Sequence, residues 1–404
     1  MRVSAGRSSL RVVLLGDLHT SRPSVYLDQW VWVRLASVVE GKPRAPGDAE
    51  VLDAIREAAA AGVAFPLSRT HYIETSSIKK PKQRQDLARV MASISFFRTL
   101  RGGQVLIRHQ MLNAMHETFG RPTFKPPAPE ALGLGVSWAF TGRQGFMRVM
   151  DKATGLETTE AALPGVGKLR RELSQLAETM IIAGPADDEV EALRANGYRP
   201  EATEEGHASR LAWEELLVDM LRDDPVHAEE LRVRVTAREL CHEYLDLLNE
   251  LMAEYRLTLE RALGSNPDRP GSGRPKLMAF SDRVPSMRLA VDMKTALFRN
   301  GERVWKPNDL HDIDALSQAI PYCHAVVTDK DAADRAKRTG GGERNGTAVL
   351  SKLDQLVELL PDLVQRAQAI GGDPTGWDAA GPGEGFMATL SDGTWPSLNV
   401  TGTP

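Results

Sequence analysis

One stretch of this chain restricts its fold more than any other. In DLHDIDALSQAIPYCHAVVTDKDAADRAKR, a helical pattern runs straight into a short apolar strand, HAVVT, and a polar helical pattern follows at once. Helix–strand–helix alternation of this kind is the signature of a parallel α/β sheet with helices on its faces. The strand closes on Thr328-Asp329, and Asp312 lies on the preceding helix. A helix, a short turn and a strand of these lengths bring both acids to one edge of a sheet. In open parallel sheets the carboxyl ends of the strands form the edge where ligands bind.

The N-terminal part repeats the pattern. Residues 24–27 (SVYL) read as a strand ending at Asp28, with a helix following to about Glu40. AEVLDAIREAAAA is helical and stops at Gly62, a good C-terminal breaker. VAFPLS reads as a strand, RTHYIETSS opens a helix carrying Glu74, and QRQDLARVMASISFFRTL reads as one amphipathic helix. TAVLSKLDQLVELLPDLVQRAQAI gives a strand and a long helix. Between these blocks, RPTFKPPAPEALGLG is loop-like and helical patterns dominate from about Lys168 to Ala262. The longest pattern runs from Val226 to Leu263, and SNPDRPGSGRP reads as a linker. The expected fold is α/β, a central parallel sheet flanked by helices and interrupted by a mostly helical insertion. Its boundaries fall at 20–115 with 276–368 for the α/β domain, 116–275 for the insertion, and 369–404 for a turn-rich tail, flexible or draped on a partner.

With 404 residues the chain can bury a large core without disulfides or structural zinc. It holds two cysteines, Cys241 and Cys323, which argues for a reducing compartment and against a four-cysteine zinc site. The net charge of -4 excludes a uniformly basic nucleic-acid coat but leaves room for a local basic patch. The run VVLL is too short for a signal-peptide core, and no stretch approaches the roughly 18 apolar residues needed to cross a bilayer. The expected location is cytoplasmic.

Carboxylates gathered at a sheet edge repel one another and resist desolvation. A hard divalent cation offsets that cost: Mg²⁺ and Mn²⁺ take oxygen ligands and retain several waters. An ion held there activates water and stabilises charge on a phosphodiester, so no His, Cys or Ser nucleophile is required.

SVYLDQW, PLSRTHYIET and NDLHDIDALSQAIPYCHAVVTDKD resemble the acidic motifs of PIN-like nucleases. The resemblance covers roughly residues 20–110 and 276–365. It implies a catalytic, metal-binding set of Asp28, Glu74, Asp312 and Asp329, with Mg²⁺ or Mn²⁺ as cofactor. It further implies endonucleolytic cleavage of RNA, in a toxin, processing or antiviral setting. The last motif departs from the family, which more often has one residue between the threonine and the fourth acid. Asp329 and Asp331 therefore both stand as fourth ligand. Asp309 is either an outer ligand or a helix N-cap, and Asp314 points elsewhere on the helix. Thr328 either bonds a ligating carboxylate or closes the strand.

Lys79, Lys80, Lys82 and Arg84 form a basic run suited to a nucleic-acid backbone, or else a solvated helix face. Trp30 and Trp32 could stack bases, although core packing is expected for at least one. Cys241-His242 without a second pair reads as buried helix packing. LLGDLHTS resembles the opening of calcineurin-like phosphoesterases, through Asp17 and His19, but the later histidine motifs of that family are missing. The expected partner is nucleic acid, RNA before DNA, with a homo-oligomer or a regulatory protein partner formed through the helical insertion. The competing reading is a non-catalytic PIN-like scaffold.

Overall fold

The computed structural model describes residues 20–143, 145, 149–159, 161–224, 226–264, 268–269, 271–300, 304–373 and 375. Asp17, His19, parts of the 265–275 linker and nearly all of the tail beyond Asp373 lie outside the described residues. The described chain is a mixed α/β protein in which helix predominates. Its strands are β1 (Val25–Leu27), β2 (Arg98–Leu100), β3 (Leu132–Leu134), β4 (Ala325–Val327) and β5 (Ala348–Leu350). Strands β4 and β5 pair in one sheet, and β2 pairs with β3 in another. No helix among the described residues is long and apolar enough to cross a membrane.

Two compact units divide the chain, each built from separated stretches: 1–20, 102–131 and 199–351 in one, 21–101, 132–198 and 352–404 in the other.

In the unit that begins at Ser21, β1 is entirely buried, as a strand covered on both faces should be. Helix Gln29–Val39 follows it directly and buries Val31, Trp32 and Leu35. Helix Asp48–Ala60 packs Ile55 and Ala59 inward and ends before Gly62, whose φ of 100° favours glycine. The run VAFPLS, expected as a strand, forms two isolated parallel bridges instead, Ser24↔Ala64 and Leu67↔Thr99. Pro66 sits between them, and a proline offers no amide hydrogen to a ladder. The helix expected through 83–100 also ends early. Helix Pro81–Ser95 stops where Phe96 and Phe97 take left-handed backbone, at φ 50° and 61°. The Phe97 amide donates to Ser95 Oγ at 3.0 Å, and the chain continues as β2, antiparallel to β3. Thus β3 lies in a region where no strand was expected, and long-range pairing outweighed the local helical pattern of SFFRTL.

The other unit carries the parallel pair β4 and β5, in register Ala325↔Ala348 through Val327↔Leu350. Helix Pro307–Ala319 leads into β4, helix Lys330–Arg338 leaves it, and helix Pro285–Phe298 packs on both neighbours. Gly342 lies so close to β5 that a Cβ there would stand 2.8 Å from the Thr347 carbonyl oxygen. The long helix expected from Val226 to Leu263 is broken into Ala228–Glu239, a π-helical turn Leu240–Tyr244, Leu245–Glu254 and Leu259–Leu263. Arg256 at φ 54° and the Thr258 cap, whose side chain accepts from the Arg261 amide, account for the last break.

Candidate metal centre

Asp28 is delivered by β1. Its backbone is extended, at φ -62° and ψ 158°, in the N-cap position of helix Gln29–Val39, but its side chain makes no capping bond. An aspartate in this position ordinarily caps, so its carboxylate serves something other than the helix start. The strand exit is locked from below. The Ser68 amide donates to His71 Nδ1 at 3.0 Å, which places the ring hydrogen on Nε2, and Nε2 donates to the Leu27 carbonyl at 2.7 Å. The Tyr26 ring stacks on His71 at 4.8 Å, and Trp32 meets it edge-on. Burial pushes the His71 imidazole down to about 4, against opposing pulls from Glu74 and the Leu27 bond. His71 is therefore a neutral donor near pH 7. Gln29 Nε2 donates to Thr75 Oγ1 at 3.0 Å and ties the residue after Asp28 to helix Arg69–Ser77.

Asp329 follows β4 by way of the buried Thr328, whose amide donates to the Leu350 carbonyl at 3.0 Å. Asp329 caps helix Lys330–Arg338: Oδ1 accepts from the Asp331 amide at 2.7 Å and from the Ala332 amide at 3.0 Å. Both capping bonds fall on Oδ1, so Oδ2 stays out of the cap. Asp312 lies in the middle of helix Pro307–Ala319, where the buried Arg335 donates through Nη2 to its Oδ2 at 3.4 Å. Arg335 belongs to the helix that Asp329 caps, so one short helix supports both acids.

The structure brings two of the four expected acids together inside the unit that carries β4 and β5: Asp312 and Asp329, both half-buried, can each offer a carboxylate oxygen within 4.8 Å of the other. Asp28, also half-buried, belongs to the unit that begins at Ser21. Glu74, half-buried on helix Arg69–Ser77, is not in the group, and neither are Asp331 and Asp309. Asp331 is exposed, and its part at Asp329 is played by its backbone amide. Asp309 is buried and accepts from the Lys306 amide at 3.0 Å, the N-cap alternative rather than the ligand one. Asp314 points away and is held in a fork by Arg210, with bonds of 2.6 and 2.8 Å.

The basic run divides. Lys79, Lys80 and Lys82 are exposed, and Lys82 pairs with Asp86 at 3.0 Å and Glu40 at 3.5 Å. Arg84 is buried, and its guanidinium donates to the carbonyls of Ala183, Ile78 and Pro185. It anchors its own unit and is unsuited to contact a nucleic acid. Trp32 is buried completely and cannot stack a base. Cys241-His242, expected inside a helix packing face, is exposed, and the His242 ring stacks on Trp213 at 4.6 Å.

Sequence reasoning missed His71 and Arg335, which act behind the acids. His71 stood within the quoted run RTHYIET, three residues before Glu74, but nothing local showed that its ring would reach back to the end of β1. Hard oxygen donors, partial exposure that admits water, and an Asp329 oxygen outside the helix cap suit the pair Asp312 and Asp329 to a small divalent cation. No protein-family model, curated protein or solved structure matches the chain.

Proposed function

We propose that the chain is a divalent-metal-dependent endonuclease that hydrolyses RNA phosphodiesters, with Asp312 and Asp329 as ligands of Mg²⁺ or Mn²⁺ and Asp28 as a further ligand on the resemblance of its motif to PIN-like nucleases. The approach of Asp312 and Asp329 within 4.8 Å carries this reading. Two like charges at that spacing are costly without a cation, and Arg335, 3.4 Å from Asp312, compensates at most one of them. When bound, the ion supplies a Lewis acid for charge developing on the phosphodiester and a lowered pKa for water. The protein's own part is to aim the oxygens. His71 fixes the carbonyl before Asp28, the helix cap fixes Asp329 through its other oxygen, and Arg335 orients Asp312. Such supports commonly set metal affinity by one to two orders of magnitude. The choice of RNA rests on the resemblance of the acidic motifs to PIN-like nucleases. Glu74 stands outside the group and is given no ligand role.

The test is incubation with single-stranded RNA and Mn²⁺, with and without chelator, alongside Asp28→Asn. Cleavage should require the metal and fall by at least about a hundredfold in the variant, the scale of one lost transition-state contact. Cleavage indifferent to both changes would rule out the site.

A further inference from the structure

A second polar cavity lies inside the unit that carries β4 and β5, on helices other than those that carry the acids. It has a volume of about 280 Å³ and is walled by helices Glu201–Asp223, Ala228–Glu239 and Pro285–Phe298, with the π-helical turn Leu240–Tyr244 at one side. That volume sits near the lower limit for small-molecule sites. π-Turns recur at functional sites because they widen a helix locally at a cost in regularity.

The charges in its wall are incompletely matched. Lys294 is buried between Glu214, 2.6 Å away, and Glu239, 2.7 Å away. Arg210 lies between Glu243 at 2.9 Å and Asp314 at 2.6 Å. Both cations are thus shared by two carboxylates each. Arg238 is different. Among the described residues no carboxylate lies within salt-bridge distance of it, and its guanidinium donates only to the Trp213 carbonyl. Burial lowers its affinity for its proton, with Glu214 opposing, so Arg238 is held charged at a cost that a ligand anion would offset. The Glu243 and Glu214 bonds each use a single oxygen, Oε1. Their second oxygens are acceptors for a ligand donor. Beside them the Trp213 ring, stacked on His242 and 44% exposed, offers an apolar surface.

A ligand with a single charge would satisfy either Arg238 or the carboxylates, but not both. We propose that the cavity binds a small zwitterion of the α-amino-acid type. Its carboxylate pairs with Arg238, its ammonium with Glu243 and Glu214, and its apolar side chain lies against Trp213 and His242. Arginine suits the first contact because its planar fork matches a carboxylate. The aromatic pair adds cation–π attraction for the ammonium.

The test uses the full chain in chelator, so that it is independent of any metal or nuclease activity. L-phenylalanine is titrated by calorimetry beside two probes that each lack one charge, 3-phenylpropionate and phenethylamine. L-phenylalanine should bind saturably and at least about tenfold more tightly than either probe, and Arg238→Gln and Glu243→Gln should each weaken it about tenfold or more. Arg238→Lys, which keeps the charge, should retain part of the binding and controls for folding. Absence of L-phenylalanine binding up to about 10 mM, equal binding of a single-charge probe, or binding unchanged in Arg238→Gln would overturn the proposal.

Discussion

Asp28 and His71 show how one residue's chemistry depends on another's. The Leu27 carbonyl accepts from a histidine that must stay neutral to remain buried, so protonation of His71 works against the fold that presents Asp28. The sign follows from the direction of the shift. The folded-state value, about 4, lies below the ordinary 6.5. His71 therefore contributes its full stability above pH 6.5 and loses it as the pH falls toward about 4, a change of about 3 kcal/mol at most. Denaturant titrations between pH 7 and 4 should show this loss, and His71→Gln, which keeps a donor but does not titrate, should flatten that part of the profile. An equally steep acid limb in the variant would assign the titration to other groups. Burial of a titratable ring cannot be read from RTHYIET, since its cause, Tyr26 and Trp32 packed around it, is tertiary.

At the scale of elements, helix Lys330–Arg338 has two duties, and they can be separated. Asp329→Ala removes its N-cap and one carboxylate of the cluster. It should cost about 1 kcal/mol of stability and abolish Mn²⁺ binding, whereas Asp331→Ala should leave Mn²⁺ affinity unchanged, as its side chain is exposed. Paired thermal melts and Mn²⁺ titrations would check both. Helix Pro285–Phe298 is held by the buried Lys294, and removal of one partner strands two acids in a low dielectric. Lys294→Met should destabilise by about 3–5 kcal/mol, measured by urea unfolding. The elements themselves were legible where pattern and punctuation agreed: the helix–strand–helix run around β4, and the helix ending before Gly62. They were illegible where long-range pairing decided the outcome. The helical pattern of QRQDLARVMASISFFRTL holds only up to Ser95, and Arg98–Leu100 becomes strand because β3 pairs with it, while Pro66 leaves VAFPLS as bridges although its composition is that of a strand.

For the whole molecule, the strand exit after β4 and the helix–strand spacing were enough to foresee that Asp312 and Asp329 meet. The rule that links a strand exit to a ligand edge is topological, and so survives errors in individual elements. Glu74 was selected by position on a helix following a strand, and a helix offers several faces; the side chain's direction depends on packing that sequence does not display. The supporting layer, His71 and Arg335, was illegible for the same reason. Cation binding by Asp28, Asp312 and Asp329 stands or falls on calorimetric titration of Mn²⁺ into the wild-type chain, Asp28→Asn and Asp312→Asn. The wild type should bind saturably and each variant at least about tenfold more weakly, as each loses a charged ligand. Wild-type heats no larger than dilution at millimolar Mn²⁺, or binding unchanged in both variants, would refute it.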